Sequence, residues 1–265
     1  MDLIIGKGST ALITGASSGI GREFALLLAQ RGCDLLIVAR NIEALRALAT
    51  HLQDRYQVLV MPVQADLADQ QGPETIYRRV TAAGVTVDIL INNAGFNVYG
   101  PLLQTDLLEE TKMIAVNFTS LVALSKRFGA DMAQRRRGAI LNIGSTASFA
   151  PAPFASVYAA TKAAVLSVSE ALSEEFRGTG VTVTVLCPGP IATDFARRAR
   201  MTNTKIFSGK LGSAEVVVRL GLAALQTGKG LVFTSLANRL QIFSMRFSPR
   251  QLIAKVGKTL LSPSS

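Results

Sequence analysis

The chain of 265 residues holds two cysteines, one histidine and no tryptophan. Two cysteines are too few to staple a fold of this length, which excludes a disulfide scaffold. The single histidine, His51, excludes a multi-histidine metal centre, so we expect no metal site. Charged residues make up only 17% of the chain and hydrophobic residues 49%, a balance that excludes intrinsic disorder. Because no window reaches about 18 uninterrupted apolar residues, we expect no membrane-spanning helix.

Acidic residues are nearly absent from the last quarter of the chain. Residues 195–265 hold 12 Lys and Arg against one acid, Glu215, a net charge of +11, whereas residues 1–194 hold 16 basic and 17 acidic residues, a net of −1. The basic character therefore belongs to this last quarter. Met1–Gly8 lacks a basic stretch followed by an apolar core, so we expect no targeting signal and predict cytoplasmic localisation.

Short apolar runs alternate with longer amphipathic segments along the chain. The predicted strands are Ala11–Thr14, Asp34–Ala39, Gln57–Val63, Val87–Asn92, Gly138–Gly144, Val181–Cys187 and Gly230–Thr234. The predicted helices are Gly19–Arg31, Ile42–Asp54, Gly72–Ala83, Asp106–Gln134, Ser156–Arg177 and Ser213–Gln226. Strict alternation of this kind predicts an α/β fold with a doubly wound, seven-stranded parallel sheet and helices on both faces.

A glycine-rich turn follows the first predicted strand, with the sequence T-G-A-S-S-G-I-G over residues 14–21. Glycines let the backbone turn sharply and approach a pyrophosphate closely, and the helix that begins here offers free N–H groups to the same anion. The spacing differs from G-x-G-x-x-G, and a simple tight turn is the alternative. Its place after the first strand favours dinucleotide binding.

The tip of the second strand bears on the choice of dinucleotide. It has no carboxylate, which would bind the 2′-hydroxyl of NAD, and instead carries Arg40, which can pair with a 2′-phosphate. NADP is therefore favoured, with NAD as a weaker alternative. A solvent-facing arginine at a strand end is the other interpretation of Arg40.

Tyr158 and Lys162 lie four residues apart in a predicted helix and so share one face. We expect the lysine ammonium to lower the pKa of the phenol and fit it for acid–base work. Ser145 ends the fifth strand, where its hydroxyl can bind a substrate oxygen. Taken alone, a Y-x3-K pair is common on solvated helices.

In combination, these motifs resemble the short-chain dehydrogenase/reductase family over roughly residues 8–235. The resemblance is carried by Thr14–Gly21, Asp66-Leu67, Asn92–Gly95, Asn117, Ser145, Tyr158-x3-Lys162 and Pro188–Thr193. It implies a single-domain Rossmann fold with strand order 3-2-1-4-5-6-7.

The resemblance also implies catalytic roles. Tyr158 would be the general acid in reduction and the general base in oxidation. Lys162 would lower the phenol pKa and hold the nicotinamide ribose. Ser145 would polarise the substrate carbonyl, and Asn117 would position a water in a proton relay to Lys162.

Cofactor contacts follow from the same resemblance. Asp66 would bind the adenine amine beside the Leu67 backbone, and Asn93 would lie near the adenosine ribose. The full predicted set is Gly15, Ser17, Ser18, Gly19, Ile20, Arg40, Asp66, Leu67, Asn93, Tyr158, Lys162, Ile191 and Thr193. Many NADP-preferring relatives carry a basic residue where this chain has Ser18, which leaves dual use of NAD and NADP open.

The resemblance places four phenylalanines where relatives line their substrate cleft, which implies an apolar substrate. With Ser145 and Tyr158, the predicted substrate-binding residues are Phe96, Phe149, Phe154 and Phe195; ordinary core packing is the alternative for the phenylalanines. Residues 196–210 correspond to a lid in relatives, and their five basic residues would suit an anionic substrate or simply face solvent.

The chain is divided into a dinucleotide-binding and catalytic domain, residues 1–235, and a basic amphipathic extension, residues 236–265. Leu240, Phe243 and Phe247 recur there at helical spacing among basic residues. A helix packed on the body or at a subunit interface and peripheral membrane contact both remain open. Nucleic acid is not expected, because no recognised binding motif is present.

The resulting functional prediction is an NAD(P)-dependent oxidoreductase that interconverts a carbonyl and a secondary alcohol on an apolar substrate. An NADP-binding sensor or scaffold without turnover is the alternative from another class. The resemblance implies a homodimer or homotetramer.

Overall fold

A seven-stranded, all-parallel sheet with strand order β3-β2-β1-β4-β5-β6-β7 forms the centre of the molecule. The computed structural model describes residues 5–209 and 211–262. Its strands are β1 Thr10–Thr14, β2 Asp34–Ala39, β3 Val60–Gln64, β4 Ile89–Asn92, β5 Gly138–Ile143, β6 Val181–Cys187 and β7 Leu231–Phe233. The predicted single-domain Rossmann fold is confirmed.

Helices cover both faces of this sheet. They are α1 Gly19–Gln30, α2 Ile42–Tyr56, α3 Gly72–Ala82, α4 Leu107–Ile114, α5 Ser120–Gln134, α6 Ser156–Glu175, α7 Phe195–Arg198, α8 Lys205–Ser208, α9 Ala214–Thr227, α10 Leu236–Met245 and α11 Arg250–Leu261. The segments Leu102–Gln104 and Thr146–Phe149 are 3₁₀ turns.

The apolar runs of the strands are continuous because both faces of the sheet are buried. In β1, Ala11 and Ile13 pack against α1, α2 and α9, whereas Leu12, between them, packs on the other face against α3 and α5. This alternation explains why the strand sequences show no polar face. The carboxyl ends of the strands all reach the same edge, where ligands bind in open α/β sheets.

The long helix predicted over 106–134 is interrupted. A π-helical segment, Ala115–Thr119, separates α4 from α5, and Ser120 N–H closes its wide turn on the Ala115 carbonyl. Asn117 lies buried in this segment. Periodicity could not indicate the interruption, because one wide turn leaves the apolar spacing on either side almost unchanged.

The third strand begins three residues later than predicted. Gln57 instead ends α2 in a left-handed conformation with φ of +54°, so the first residues of the apolar run belong to the connection. Apolar content alone does not distinguish such a connection from a strand.

Three predictions fall partly outside the described residues: the absent targeting signal (residues 1–4), the basic lid (residue 210) and the tail (residues 263–265). Within residues 5–209 and 211–262, no helix is both long and apolar enough to cross a bilayer. Cytoplasmic localisation stays a prediction.

The tail forms two helices, α10 and α11, and packs on the body. The Tyr99 hydroxyl donates to the carbonyl of Leu261, α11 contacts α8, and Gly257 lies against the backbone of Pro151. On α10 the buried residue is Ile242, whereas Phe243 and Leu240 are exposed. The stripe singled out in the sequence therefore faces away from the body.

Gly21→Ala should destabilise the protein. A Cβ at residue 21 would overlap the carbonyl oxygen of Gly15 and the side-chain amide of Asn93. Because backbone must move to relieve the clash, we expect a loss of about 1–3 kcal/mol in the free energy of unfolding, measured by urea denaturation. Gly209→Ala is the matched control, since a Cβ there meets no atom within 4 Å. Equal stability of the two variants would contradict the close approach.

Candidate active site

The glycine turn between β1 and α1 leaves a cradle that side chains would fill. Gly15 has φ of +67°, and a Cβ there would lie 2.9 Å from the Cα of Ala94. Gly19 has φ of +56° and faces Thr193, whose Cβ would lie 3.5 Å from a Cβ on the glycine. Ser18 caps α1 without a side-chain hydrogen bond, so the first N–H groups of the helix are available to an anion.

Hydrogen bonds hold this turn against the loop after β4. The Thr14 hydroxyl accepts from the backbone N–H groups of Asn93 and Ala94, both at 3.0 Å. The Asn93 side-chain amide donates to the carbonyl of Thr14 at 2.9 Å. The amide nitrogen of Asn93 thus fixes the turn, and its predicted contact with the adenosine ribose stays a prediction.

A cavity of about 1120 Å³ runs along the carboxyl edge of the sheet and joins the turn to the predicted catalytic residues. Every residue predicted to bind the cofactor lines this cavity, from Arg40 and Asp66 beyond β2 and β3 to Ile191 and Thr193 beyond β6. A turn that admits no Cβ, an open helix N-terminus and a long cleft fit a dinucleotide.

Ser145 and Tyr158 reach this cavity from two neighbouring elements. Ser145 follows β5 and caps a 3₁₀ turn, with its Oγ accepting from the N–H of Ala147 at 3.1 Å. Tyr158 lies in the first turn of α6 and lines the same cavity, close enough for the Ser145 side chain to lower the pKa of its phenol. The two hydroxyls predicted to act together are adjacent.

Lys162 lies one turn further along α6 and is only 4% exposed. Its Nζ donates to the carbonyl of Ile143, the last residue of β5, at 2.7 Å. It also lies 5.9 Å from the centroid of the Tyr158 ring. The ammonium and the phenol share one cavity, as the i, i+4 spacing predicted.

The prediction that Lys162 lowers the pKa of the Tyr158 phenol is wrong in this structure. Burial raises the pKa of Tyr158 to about 12, and the nearby Ser145 side chain opposes this rise only in part. Burial also lowers the pKa of Lys162 to about 8. Both groups are removed from water, which penalises phenolate and ammonium alike. The lysine therefore does not offset the desolvation of the phenol.

Asn117 lies behind the cavity wall, held by the loop after β4. Its Oδ1 accepts from the N–H of Phe96 at 3.0 Å, and its Nδ2 donates to the carbonyl of Phe96 and to the Thr161 hydroxyl. Gly95 separates Asn117 from Lys162. The carboxamide is thus already engaged with protein groups, and the predicted water relay stays a prediction.

Two of the four predicted phenylalanines line the cavity. Phe96 does, and so does Phe195, whose ring lies 5.7 Å from that of Tyr158. Phe149 does not, because the 3₁₀ turn directs it into the core against Phe233. Phe154 has φ of +68° and packs behind the cavity against Tyr99. For Phe149 and Phe154 the alternative of core packing is correct.

Sequence reasoning missed Asn97 and the tail. Asn97 is buried on the cavity wall, and its Oδ1 has no hydrogen-bond partner among the described residues. On α11, the lining residues are Leu252, Ile253, Val256, Gly257, Leu260 and Leu261. The helical spacing of these apolar residues could have predicted a buried face on α11, but only the aromatic residues of α10 were considered from the sequence.

Comparison with known proteins agrees with this geometry. The family model for short chain dehydrogenase matches residues 9–204. The chain is 32% identical over 201 residues to the very-long-chain 3-oxoacyl-CoA reductase of Bos taurus, covering 74% of this chain and 63% of that protein. It is 35% identical over 190 residues to 17-beta-hydroxysteroid dehydrogenase type 3 of Homo sapiens, covering 70% and 60%. The chain thus spans less than two thirds of the length of these relatives.

A solved structure extends the similarity over nearly the whole chain. The short-chain dehydrogenase from Sphingobium yanoikuyae, in complex with NADPH, superposes with a TM-score of 0.82 at 33% identity, covering 90% of this chain and 93% of that one. The chain belongs to the short-chain dehydrogenase family.

The high pKa of Tyr158 is directly testable. Difference titration of the unliganded protein against Tyr158→Phe, followed by phenolate absorbance in the near ultraviolet, should show no phenolate from this residue below about pH 10. A phenolate that forms near neutral pH and is lost in the variant would contradict the dominance of burial.

Proposed function

We propose that the protein is an NADPH-dependent oxidoreductase that interconverts a ketone and a secondary alcohol on an apolar substrate. The observation that carries this proposal is the adjacency of the Ser145 and Tyr158 hydroxyls in one cavity with the glycine turn. Family membership supports the same reaction class. A dinucleotide in this cleft would have its nicotinamide end beside the two hydroxyls.

Tyr158 is the proposed proton donor to the carbonyl oxygen. With a pKa near 12 the phenol is protonated at neutral pH, which is the form that a general acid requires. Ser145 supports the same oxygen: its Oγ accepts from the N–H of Ala147, so its own hydrogen remains free to donate. The nicotinamide cofactor, when bound, supplies or accepts the hydride.

Lys162 is the proposed partner of the nicotinamide ribose and the next group for proton transfer. A pKa near 8 lies close to neutral pH, where an amine can give and regain a proton readily. Its bond to the Ile143 carbonyl holds the ammonium at the cavity floor. Asn117, on the far side of Gly95, is the proposed next member of the relay.

NADPH is the preferred cofactor in this proposal, with NADH as the weaker alternative. Arg40 is exposed at the end of β2 and lines the cavity next to Asn41 and Ala44, which carry no negative charge. An exposed guanidinium can pair with a 2′-phosphate in a bidentate manner. The NADPH in the complex of the Sphingobium relative supports this choice.

An apolar substrate is favoured by the wall of the cavity beyond the hydroxyls. Phe96, Phe195, Met201 and the apolar face of α11 line this part. The two relatives described above are named for acyl and steroid substrates, both largely apolar. The Oδ1 of Asn97, which has no partner within residues 5–209 and 211–262, would accept a hydrogen bond from a second polar group of the substrate.

The sensor alternative gains nothing from the site, because each polar group needed for turnover is present around the cavity.

Self-association is also part of the proposal. Leu103, Leu107 and Leu108 form an exposed apolar patch before and within α4. Such a patch is typical of a contact between subunits. Whether the oligomer is a dimer or a tetramer stays a prediction.

Tyr158→Phe should lower the turnover of NADPH with a ketone by about 10²–10⁴-fold, because the proton donor is removed. NADPH binding, followed by the fluorescence of the cofactor, should persist. Tyr56→Phe, at the end of α2 and outside the cavity, is the matched control and should retain activity. Full activity of Tyr158→Phe would overturn the assignment, and NADPH binding by the unmodified protein without oxidation across a broad carbonyl panel would support the sensor.

Arg40→Ala should weaken NADPH binding by about 10–100-fold, the typical effect of losing a hydrogen bond to a charged group. NADH binding should change little, since NADH has no 2′-phosphate. Arg46→Ala, on the helix α2 that follows Arg40, serves as the control, because Arg46 is exposed and paired with Glu43 away from the cavity. An equal loss for both cofactors would contradict recognition of the phosphate.

A further inference from the structure

The tail presents an apolar stripe to solvent. Leu236, Leu240 and Phe243 recur at i, i+4 and i+7 on α10, and Phe247 follows at i+11 just beyond its end. These side chains are 54–78% exposed, and the rings of Phe243 and Phe247 contact each other with centroids 5.5 Å apart. Burial of Ile242 on the opposite side shows that the helix already packs on the body, so the stripe is a second apolar face.

The tail that carries this stripe is basic, and its residues 236–262 include no acid. Between residues 236 and 262 the exposed charged residues are Arg239, Arg246, Arg250, Lys255 and Lys258. A helix with aromatic and leucine side chains on one face and basic residues beside them has the composition of helices that lie in a membrane interface. The basic residues are complementary to anionic lipid headgroups.

A second copy of the chain fits this surface poorly. A two-fold contact would pair the patch with itself and bring five positive charges against five. Like charges brought together at an interface are unfavourable, and no acid of the tail can compensate for them. The charge pattern therefore favours a partner of opposite sign.

Apolar side chains of α11 reach both solvent and the cavity. Leu252 and Val256 on α11 are each about half exposed and also line the cavity. A planar surface that covers these two side chains of α11 would therefore border the cleft.

We infer that α10 and α11 form a docking surface for an anionic phospholipid bilayer. The stripe of Leu236, Leu240, Phe243 and Phe247 enters the headgroup layer, the five basic residues contact lipid phosphates, and the cleft mouth lies at the lipid surface. Binding does not depend on the proposed reductase activity. It is peripheral, because the helices are too short to span.

Sedimentation of the full chain with vesicles tests this inference. The chain should bind vesicles of phosphatidylcholine mixed with phosphatidylglycerol, bind phosphatidylcholine alone far more weakly, and be released by salt. Phe243→Ser with Phe247→Ser should lower the partition coefficient by at least about tenfold for each ring. Arg246→Gln with Arg250→Gln should lower it by about fivefold for each charge.

Matched controls separate this surface from general effects. Leu59→Ser removes an exposed apolar side chain at the opposite edge of the sheet, and Arg55→Gln with Lys126→Gln removes the same charge elsewhere; both should bind as the unmodified chain does. Tyr158→Phe should also bind fully. The stripe variants should keep NADPH oxidation with a water-soluble ketone, since their substituted residues do not line the cavity.

Failure of the unmodified chain to bind the anionic vesicles would overturn the inference. Unchanged binding of the phenylalanine variant would overturn it as well. If those substitutions instead alter the molar mass measured by light scattering, and vesicle binding is absent, the stripe belongs to a contact between protein molecules and the inference is wrong.

Discussion

The ammonium of Lys162 is almost completely buried, and the positions of the other catalytic side chains depend on how this charge is hydrogen-bonded. Burying a charge is costly unless it is hydrogen-bonded, and here the last carbonyl of β5 accepts its bond. That single contact requires α6 to pack on β5 in one register. Tyr158 then lies one turn earlier on the helix, and Ser145 follows two residues after the accepting carbonyl, so both hydroxyls arrive at the same place.

Two further polar contacts hold α6 in that register. The Ser148 hydroxyl donates to the backbone carbonyl of Lys162 at 2.8 Å, and the Asn142 amide donates to Ser169 two turns along the helix at 2.9 Å. Asn142 in turn accepts from Asn92 of the neighbouring strand, which links β4, β5 and α6 in one buried chain of amides. Directional buried hydrogen bonds of this kind favour one arrangement of the core over others.

The fold and the cofactor half of the site could be predicted because their signals are local. A strand buried on both faces is a run of apolar residues, and Gly15 and Gly19 adopt the positive φ that their turn requires. The spacing of Tyr158 and Lys162 likewise reports one helix face. The destinations of Phe149 and Phe154 could not be predicted in this way, since a short turn decides whether each ring points into the core or the cleft. The pKa of Tyr158 depends on burial contributed by elements far apart in sequence. Which face of the tail helices packs on the rest of the protein likewise depends on residues outside the tail, so the tail sequence alone could not predict it.

The wide turn at Ala115–Thr119 lies in the helical connection between β4 and β5. The number of residues in this connection is as important for the packing of α5 as their side chains are. One residue changes the direction of the next side chain by about 100° around a helix axis. Deleting a residue here to restore regular winding would rotate α5 relative to α4 and carry Leu124 and Phe128 out of the core that they share with α3. Asn117 would lose its place beside Phe96 in the same step. Among homologous sequences, insertions and deletions should therefore avoid this segment even where its amino acids vary.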